Sequence, residues 1–311
     1  MAAPDVTAGA RPDSRLRAPG RRWSEDAVKL GLGLCALVSV ATTAGIVVAL
    51  LVPALEFFRE VSIVDFLTGT EWAPLFEPAR FGAIPLLVGT ISITLWACVV
   101  CRPFGLGAAI FMSEYAGDRT RKLLKPLLEL LAGIPTVVFG YFALTFFTPL
   151  LRRIGLDVEI FNALSAGLVI GVMLIPTVAS LSEDAMSSVP IDLRSGAYAL
   201  GSTRLQVATR IVVPAAISGI AASYVLAISR AIGETMIVLI AAGQQANLTF
   251  DPMRAVETMT AFIAATGSGD TPTGSIEYKT IFAVGLTLFL ITLVMNAVAI
   301  RLVRRFREVY E

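Results

Sequence analysis

Arg230 and Glu234 stand four residues apart inside a run, 214–241, that carries no other charge. A charge at the centre of a bilayer costs at least about 2.5–3.5 kcal/mol on insertion scales, so such residues are kept for pairing or for function. On a continuous helix, positions i and i+4 share a face and can pair. One reading is a buried structural ion pair holding two spans. The other is that Arg230 lines a path and meets an anion in passing, while Glu234 keeps it from holding that anion too tightly. A guanidinium suits an oxyanion through paired donors, and the hydroxyls of Ser229 and Thr235 can add contacts. Arg102 lies in another apolar run, as an interior charge or as part of the wall of an aqueous path. Glu129, four residues after Lys125, reads as half of an interfacial pair.

Other chemistry is poorly supplied. The chain has no histidine, which removes the commonest general base and zinc ligand. Cys35, Cys98 and Cys101 all lie in apolar runs. The CxxC spacing of the last two needs a thiolate to be redox-active or metal-binding, and a lipid-facing helix disfavours one. They read as small packing residues. No Gly-Lys pair occurs, so the chain lacks a phosphate loop for ATP. No nucleophile–base set is visible, and a net charge of +1 gives no basic field for nucleic acid.

The elements that must position these residues are membrane spans. Of 311 residues 56% are hydrophobic and 16% charged, against roughly 25% charged in a soluble domain. The mean hydropathy is +0.76. Spans are expected at about 30–53, 84–112, 124–150, 163–182, 214–241 and 280–303, giving an all-α membrane protein of six transmembrane helices. Residues 1–28, with five arginines among Pro, Gly and Ala, read as a disordered cytosolic tail. The apolar run from Leu30 to about Phe57 is longer than the roughly 7–15 residues of a signal peptide's apolar region. It is expected to remain as a first transmembrane helix over 29–60. Lys and Arg divide 17 to 6 between the two sets of flanking tracts, with Arg102 and Arg230 inside spans. That bias puts both termini in the cytosol. The second span is interrupted by Arg102-Pro103 and by Gly105 and Gly107, the third by Gly133-Ile134-Pro135 and Gly140. Such breaks are tolerated where neighbouring helices or a cavity satisfy the backbone.

The cytosolic tract 183–213 is the most informative. Pro190 followed by Asp192 marks a helix start, and Gly201 is placed as a helix stop. Ala185, Val189, Leu193, Ala197 and Leu200 recur at helical spacing. A helix presenting an apolar face to the cytosol needs a groove in which to dock. A helix lying on the membrane surface is the alternative, and it calls for a basic polar face. Here that face carries Glu183, Asp184, Asp192 and Arg194.

This tract resembles the coupling-loop signature of ABC importer permeases, in which EAA, three residues, Gly and nine residues lead into Ile-x-Leu-Pro. Ala197, Gly201, Ile211 and Pro214 match, whereas Ser195, Gly196 and Val213 replace the usual Glu, Ala and Leu. The runs Ser113-Glu114-Tyr115-Ala116, Leu130 to Pro135, Ser187-Ser188-Val189-Pro190 and Gly233-Glu234-Thr235-Met236 are similar to the phosphate-specific Pst importer, and to its PstC-type permease more than its PstA-type one. The resemblance covers roughly 60–305. It implies a type I ABC importer permease (MetI-like) bundle, with a permease core over 84–305, a coupling hairpin at 183–213 and multi-pass placement in a bacterial inner membrane. The implied partners are a PstA-type second permease, a PstB-type ATPase dimer that uses ATP-Mg, and a PstS-type external phosphate-binding protein. This chain itself would bind no cofactor. Ser188, Val189, Pro190, Leu193, Ala197, Gly201, Ile211 and Pro214 would form the ATPase-coupling element. Arg230, Glu234, Ser229 and Thr235 would line the substrate path. Tract 242–279 is expected to be the surface for the external protein, or a disordered loop. A permease for another oxyanion and a self-sufficient secondary transporter or channel remain the alternatives.

Overall fold

The computed structural model describes residues 23–305 apart from position 270. The chain divides into two compact units, Met1–Ala49 and Leu50–Glu311. Helix α1 (Trp23–Glu60) supplies the described part of the first. Its Leu30, Leu37, Val38, Val40 and Ile46 are exposed, as lipid-facing residues must be. Residues 1–22 of the expected tail lie outside the described residues. Residues 23–28, expected in that tail, are already helical, with Glu25 and Asp26 in the first turn, where carboxylates complement the positive end of the helix.

In the second unit α2 (Ile63–Thr68) is followed by an antiparallel pair, β1 (Trp72–Ala73) and β2 (Arg80–Phe81), with Trp72 opposite Phe81. Next come α3 (Ile84–Ile110), α4 (Asp118–Ala132), α5 (Thr136–Phe142), α6 (Thr148–Arg153) and α7 (Ala163–Ser187). The chain continues through α8 (Ile191–Ala199), α9 (Arg204–Val207), α10 (Val213–Ala215), α11 (Ile217–Ile232), α12 (Met236–Ala241), α13 (Met259–Gly267) and α14 (Ile276–Arg305). Among the described residues four helices are long and apolar enough to cross a membrane, and six spans result if each of two bent pairs counts as one. The bends are 84° between Asp118–Ala132 and Thr136–Arg153, and 73° between Arg204–Ala215 and Ile217–Ile232.

The expected third span is therefore two helices, not one. Gly133 caps α4, and Pro135 stands in extended conformation just before α5, since a proline ring clashes with a continuing turn. The expected fifth span is likewise broken, at Gly233–Thr235. Tract 242–279 is not a structureless loop. It contains α13, capped by the Thr258 hydroxyl, which accepts from the Ala261 N–H.

Helix α7 is the centre of the bundle. It packs along α3 through glycines. A Cβ placed on Gly171 would lie 2.6 Å from the Val100 Cβ and 2.7 Å from the Ala97 carbonyl oxygen; one on Gly167 would lie 2.6 Å from the Trp96 Cβ. Small residues let helix backbones approach closely where lipid gives no hydrophobic drive to associate. At the start of α7 Asn162 is fully buried. Its Oδ1 accepts from the Ser165 N–H at 2.7 Å and its Nδ2 donates to the Glu159 carbonyl at 2.9 Å. Cys101 belongs to the same core.

Gly171→Val adds a branched side chain where even one Cβ meets backbone. The expected outcome is loss of the monodisperse detergent-solubilised protein in size-exclusion chromatography. The same change at Gly107, around which a Cβ would meet nothing within 4 Å, should leave the elution profile intact. Equal profiles for the two variants would show that the glycine contact does not organise the bundle.

Candidate functional site

The structure brings the four path candidates to one break in the bundle but does not pair the charges. Helix α11 ends at Ile232, so Arg230 and Glu234 do not share a continuous helical face. Glu234 is buried, and its Oε1 accepts from the backbone N–H groups of Met236 at 3.1 Å and Ile237 at 3.3 Å. It caps the new helix instead of neutralising Arg230. The Thr260 hydroxyl holds the same turn by donating to the Glu234 carbonyl at 2.7 Å. Arg230 is exposed on the surface of this chain. Its Nη1 donates to the Thr177 hydroxyl at 3.4 Å, and it enters no ion pair among the described residues. Ser229 donates to Asn296 on α14 at 2.9 Å, and Thr235 to the Gly233 carbonyl at 3.2 Å. The structural ion-pair reading thus fails on geometry, and a guanidinium is left facing outward from the span.

Arg102 stacks over the Tyr224 ring at 5.6 Å, and the Tyr224 hydroxyl donates to the Arg102 carbonyl at 3.1 Å. The expected Lys125–Glu129 pair does not form. Lys125 turns instead to Glu183 at 3.2 Å and Asp184 at 2.8 Å.

At the opposite end of α7 lies the hairpin. Pro190 stands at the N-terminus of α8. Gly201 sits at φ +81°, a left-handed conformation that costs a residue with a Cβ roughly 1–2 kcal/mol. Its N–H reaches the Tyr198 carbonyl and that of Ser202 the Ala197 carbonyl, which closes the helix. The apolar positions do not share one outward face. Val189 and Ala197 are buried against Ala109, Met186, Val207 and Val212 of the same chain, with Ile211 packed beside them. Ile191, Leu193, Tyr198 and Leu200 are exposed, Leu200 at 89%. Helical spacing alone cannot separate residues that hold the hairpin down from those it displays, because the helix is narrow enough to do both. Pro214 falls within α10, just before the 73° bend.

Two buried acids hold this end together: Glu183, which the sequence reading left on a polar face, and Glu114, which it used only as part of a motif. Glu183 is fully buried and is bound by Arg121, Lys125 and the Ser187 hydroxyl. Its position in the stripe Ala179, Ser182, Glu183, Met186 is the signal that marks it as interior. Glu114, on a π turn after α3, pairs with Arg194 of α8 at 3.2 Å, where the two side chains are only 3% and 14% exposed. Arg194 also donates to the carbonyls of Val189 at 2.5 Å and Met186 at 2.7 Å. One guanidinium thereby joins α8, the end of α7 and the end of α3.

The family of binding-protein-dependent transport system inner membrane components matches over residues 103–308. The chain belongs to that family. This permease is 36% identical over 272 residues to the probable ABC transporter permease protein YqgH of Bacillus subtilis, covering 87% of this chain and 86% of that one. It is 35% identical over 280 residues to the phosphate transport system permease protein PstC 1 of Mycobacterium tuberculosis, covering 78% and 82%. It is 30% identical over 292 residues to PstC of Haemophilus influenzae, covering 87% and 90%. The resemblance to PstC-type permeases is borne out by these relatives. Among solved structures, a bacterial alginate ABC transporter with its periplasmic protein shares the fold at TM-score 0.64 and 18% identity, covering 92% of this chain and 98% of that one. The MetNI methionine transporter does so at 0.55 and 15%, covering 73% and 95%. The permease is a multi-pass membrane subunit of an ABC importer.

Arg194→Ala leaves Glu114 buried beside only the Ser113 hydroxyl. Removing one partner of a buried pair costs about 3–5 kcal/mol, so the detergent-solubilised permease should show a clear loss of thermal stability. A change below about 0.5 kcal/mol, the scale of an ordinary surface substitution, would mean that the pair does not hold the hairpin.

Proposed function

We propose that this chain is the PstC-type half of a phosphate importer in a bacterial inner membrane. The observation that carries the proposal is the exposed, carboxylate-free guanidinium of Arg230 within a membrane helix. A charge in that position needs water, an anion or a second chain, and half of a translocation path offers all three. The names of the relatives supply the cargo. Arg230 meets phosphate in passing, with Ser229 and Thr235 close by. Glu234 maintains the break that presents them and does not titrate the arginine's charge. A PstA-type permease completes the path, and a PstS-type binding protein delivers phosphate from outside.

Ser188, Val189, Pro190, Ala197, Gly201, Ile211 and Pro214 build the coupling element. Leu193 and its exposed neighbours Ile191, Tyr198 and Leu200 dock on a PstB-type ATPase dimer, which hydrolyses ATP-Mg. Both termini lie in the cytosol, in keeping with the bias of Lys and Arg toward the tracts on that side.

Arg230→Gln should abolish radiolabelled phosphate uptake in cells while the four-component complex still co-purifies. Full uptake by that variant would refute the role of Arg230, and uptake of sulfate in preference to phosphate would refute the cargo. Leu200→Glu places a charge on the displayed face without touching the core. It should leave the permease folded and abolish stimulation of ATP hydrolysis. Wild-type stimulation in that variant would rule out docking through this face.

A further inference from the structure

At the end of the bundle opposite α8 lies a cavity of about 970 Å³ that the phosphate reading does not use. Trp72, Gln244, Asn247, Glu257, Phe262 and Thr266 are among its lining residues. Two features set it apart. The Trp72 indole N–H is buried without a partner, the only such side-chain atom among the described residues, and it lies behind the wall with no surface open to the cavity. Glu257 lines the cavity at 8% exposure, and its carboxyl makes no hydrogen bond or ion pair among the described residues. Burial pushes that carboxyl up to about 7.

The two groups have different reasons for being where they are. Trp72 is fixed by edge-on contacts with Phe66 and Phe262, so its N–H cannot rotate away to find solvent. Glu257 is fixed through its backbone, because its carbonyl lies against Gly89, where a Cβ would approach to 2.3 Å. A buried carboxyl left without a partner costs stability unless something that enters the cavity pairs with it.

The charge of the lining selects the occupant. Glu277 is the other ionisable residue on the wall, and no Lys or Arg is among the lining residues. Lys279, two positions further on, is engaged by Glu56 at 3.4 Å and Glu60 at 3.1 Å. An oxyanion would meet two carboxyls and no cation, so this is not a second phosphate site. The complementary group is a cation, such as a basic side chain carries. On the side that faces away from the ATPase, the source of such a group is the protein that docks there.

We propose that this cavity is the socket in which a lysine or arginine side chain of the external binding protein anchors, paired to Glu257. The proposal rests on the importer reading and adds to it the point of attachment. Docking is then registered by one deep contact whose failure weakens delivery without altering the path.

The test uses the assembled importer in lipid nanodiscs and its purified binding protein, reading ATP hydrolysis as binding protein is titrated in. For Glu257→Gln the half-saturating concentration should rise about thirtyfold or more, as expected for truncating one side of a buried charge pair. The rate reached at saturation reports that the variant complex is folded and assembled. Replacing single surface lysines and arginines of the binding protein by glutamate should reveal one change that weakens docking to the wild type and restores docking to Glu257→Lys. Unchanged half-saturation in both Glu257→Gln and Glu257→Lys overturns the socket while leaving phosphate uptake as the separate measure of the cargo. A wild-type complex that fails to take up phosphate but still loses docking in Glu257→Gln overturns the cargo and keeps the socket.

Discussion

Lipid offers no hydrogen bonds and no counter-charges, so everything polar in this chain has to be settled against other parts of the chain or against an assembly partner. Helix α7 is where most of that is done. Its N-terminus is closed by Asn162, and its middle lies against α3 through Gly167 and Gly171. Its Ser182 hydroxyl meets that of Ser223 on α11 at 2.8 Å. Its last turn holds Glu183, and its end receives Arg194. With two-thirds of its apolar window buried, α7 is the most enclosed of the long apolar helices among the described residues. Helices α3, α4, α11 and α12 pack directly on it.

Four buried acids show how differently one constraint is met. Glu183 gathers two cations from α4. Glu114 takes a single arginine from the hairpin. Glu234 uses no cation and gives its oxygen to backbone N–H groups at a helix start. Glu257 has none of these. The first three are complete within the chain, and their roles are structural. Completeness separates an acid that holds the fold from one that waits for something else, and burial alone does not.

Much of the fold was legible in the sequence, because long apolar runs and Lys/Arg placement are averages over many residues. The hairpin's start at Pro190 and its stop at Gly201 were legible for a local reason, since proline and glycine each encode one backbone conformation. What stayed hidden depends on angles between helices. The Arg230–Glu234 spacing suggested a pair, yet Gly233 ends the helix and a four-residue separation then loses its meaning. Lys125 had a carboxylate at the expected distance in Glu129, but its partners are 58 and 59 residues away. Ala197 fitted an outward apolar face by periodicity and is packed inward. The buried indole of Trp72 leaves no mark in the sequence, because an unmet hydrogen bond is visible only once its surroundings are fixed.

The guanidinium of Arg194 joins three elements at a single point, and this has a mechanical consequence. A push on α8 reaches the ends of α3 and α7 together. Those two helices are interlocked by their glycines, so they cannot slide past one another and must turn as one stiff block. The backbone itself is interrupted elsewhere, at the 73° bend before α11 and at the Gly233 break beside Arg230. Within Leu50–Glu311 the hairpin and the core are thus joined as one lever, and the Gly233 interruption falls beside the displayed charge of Arg230.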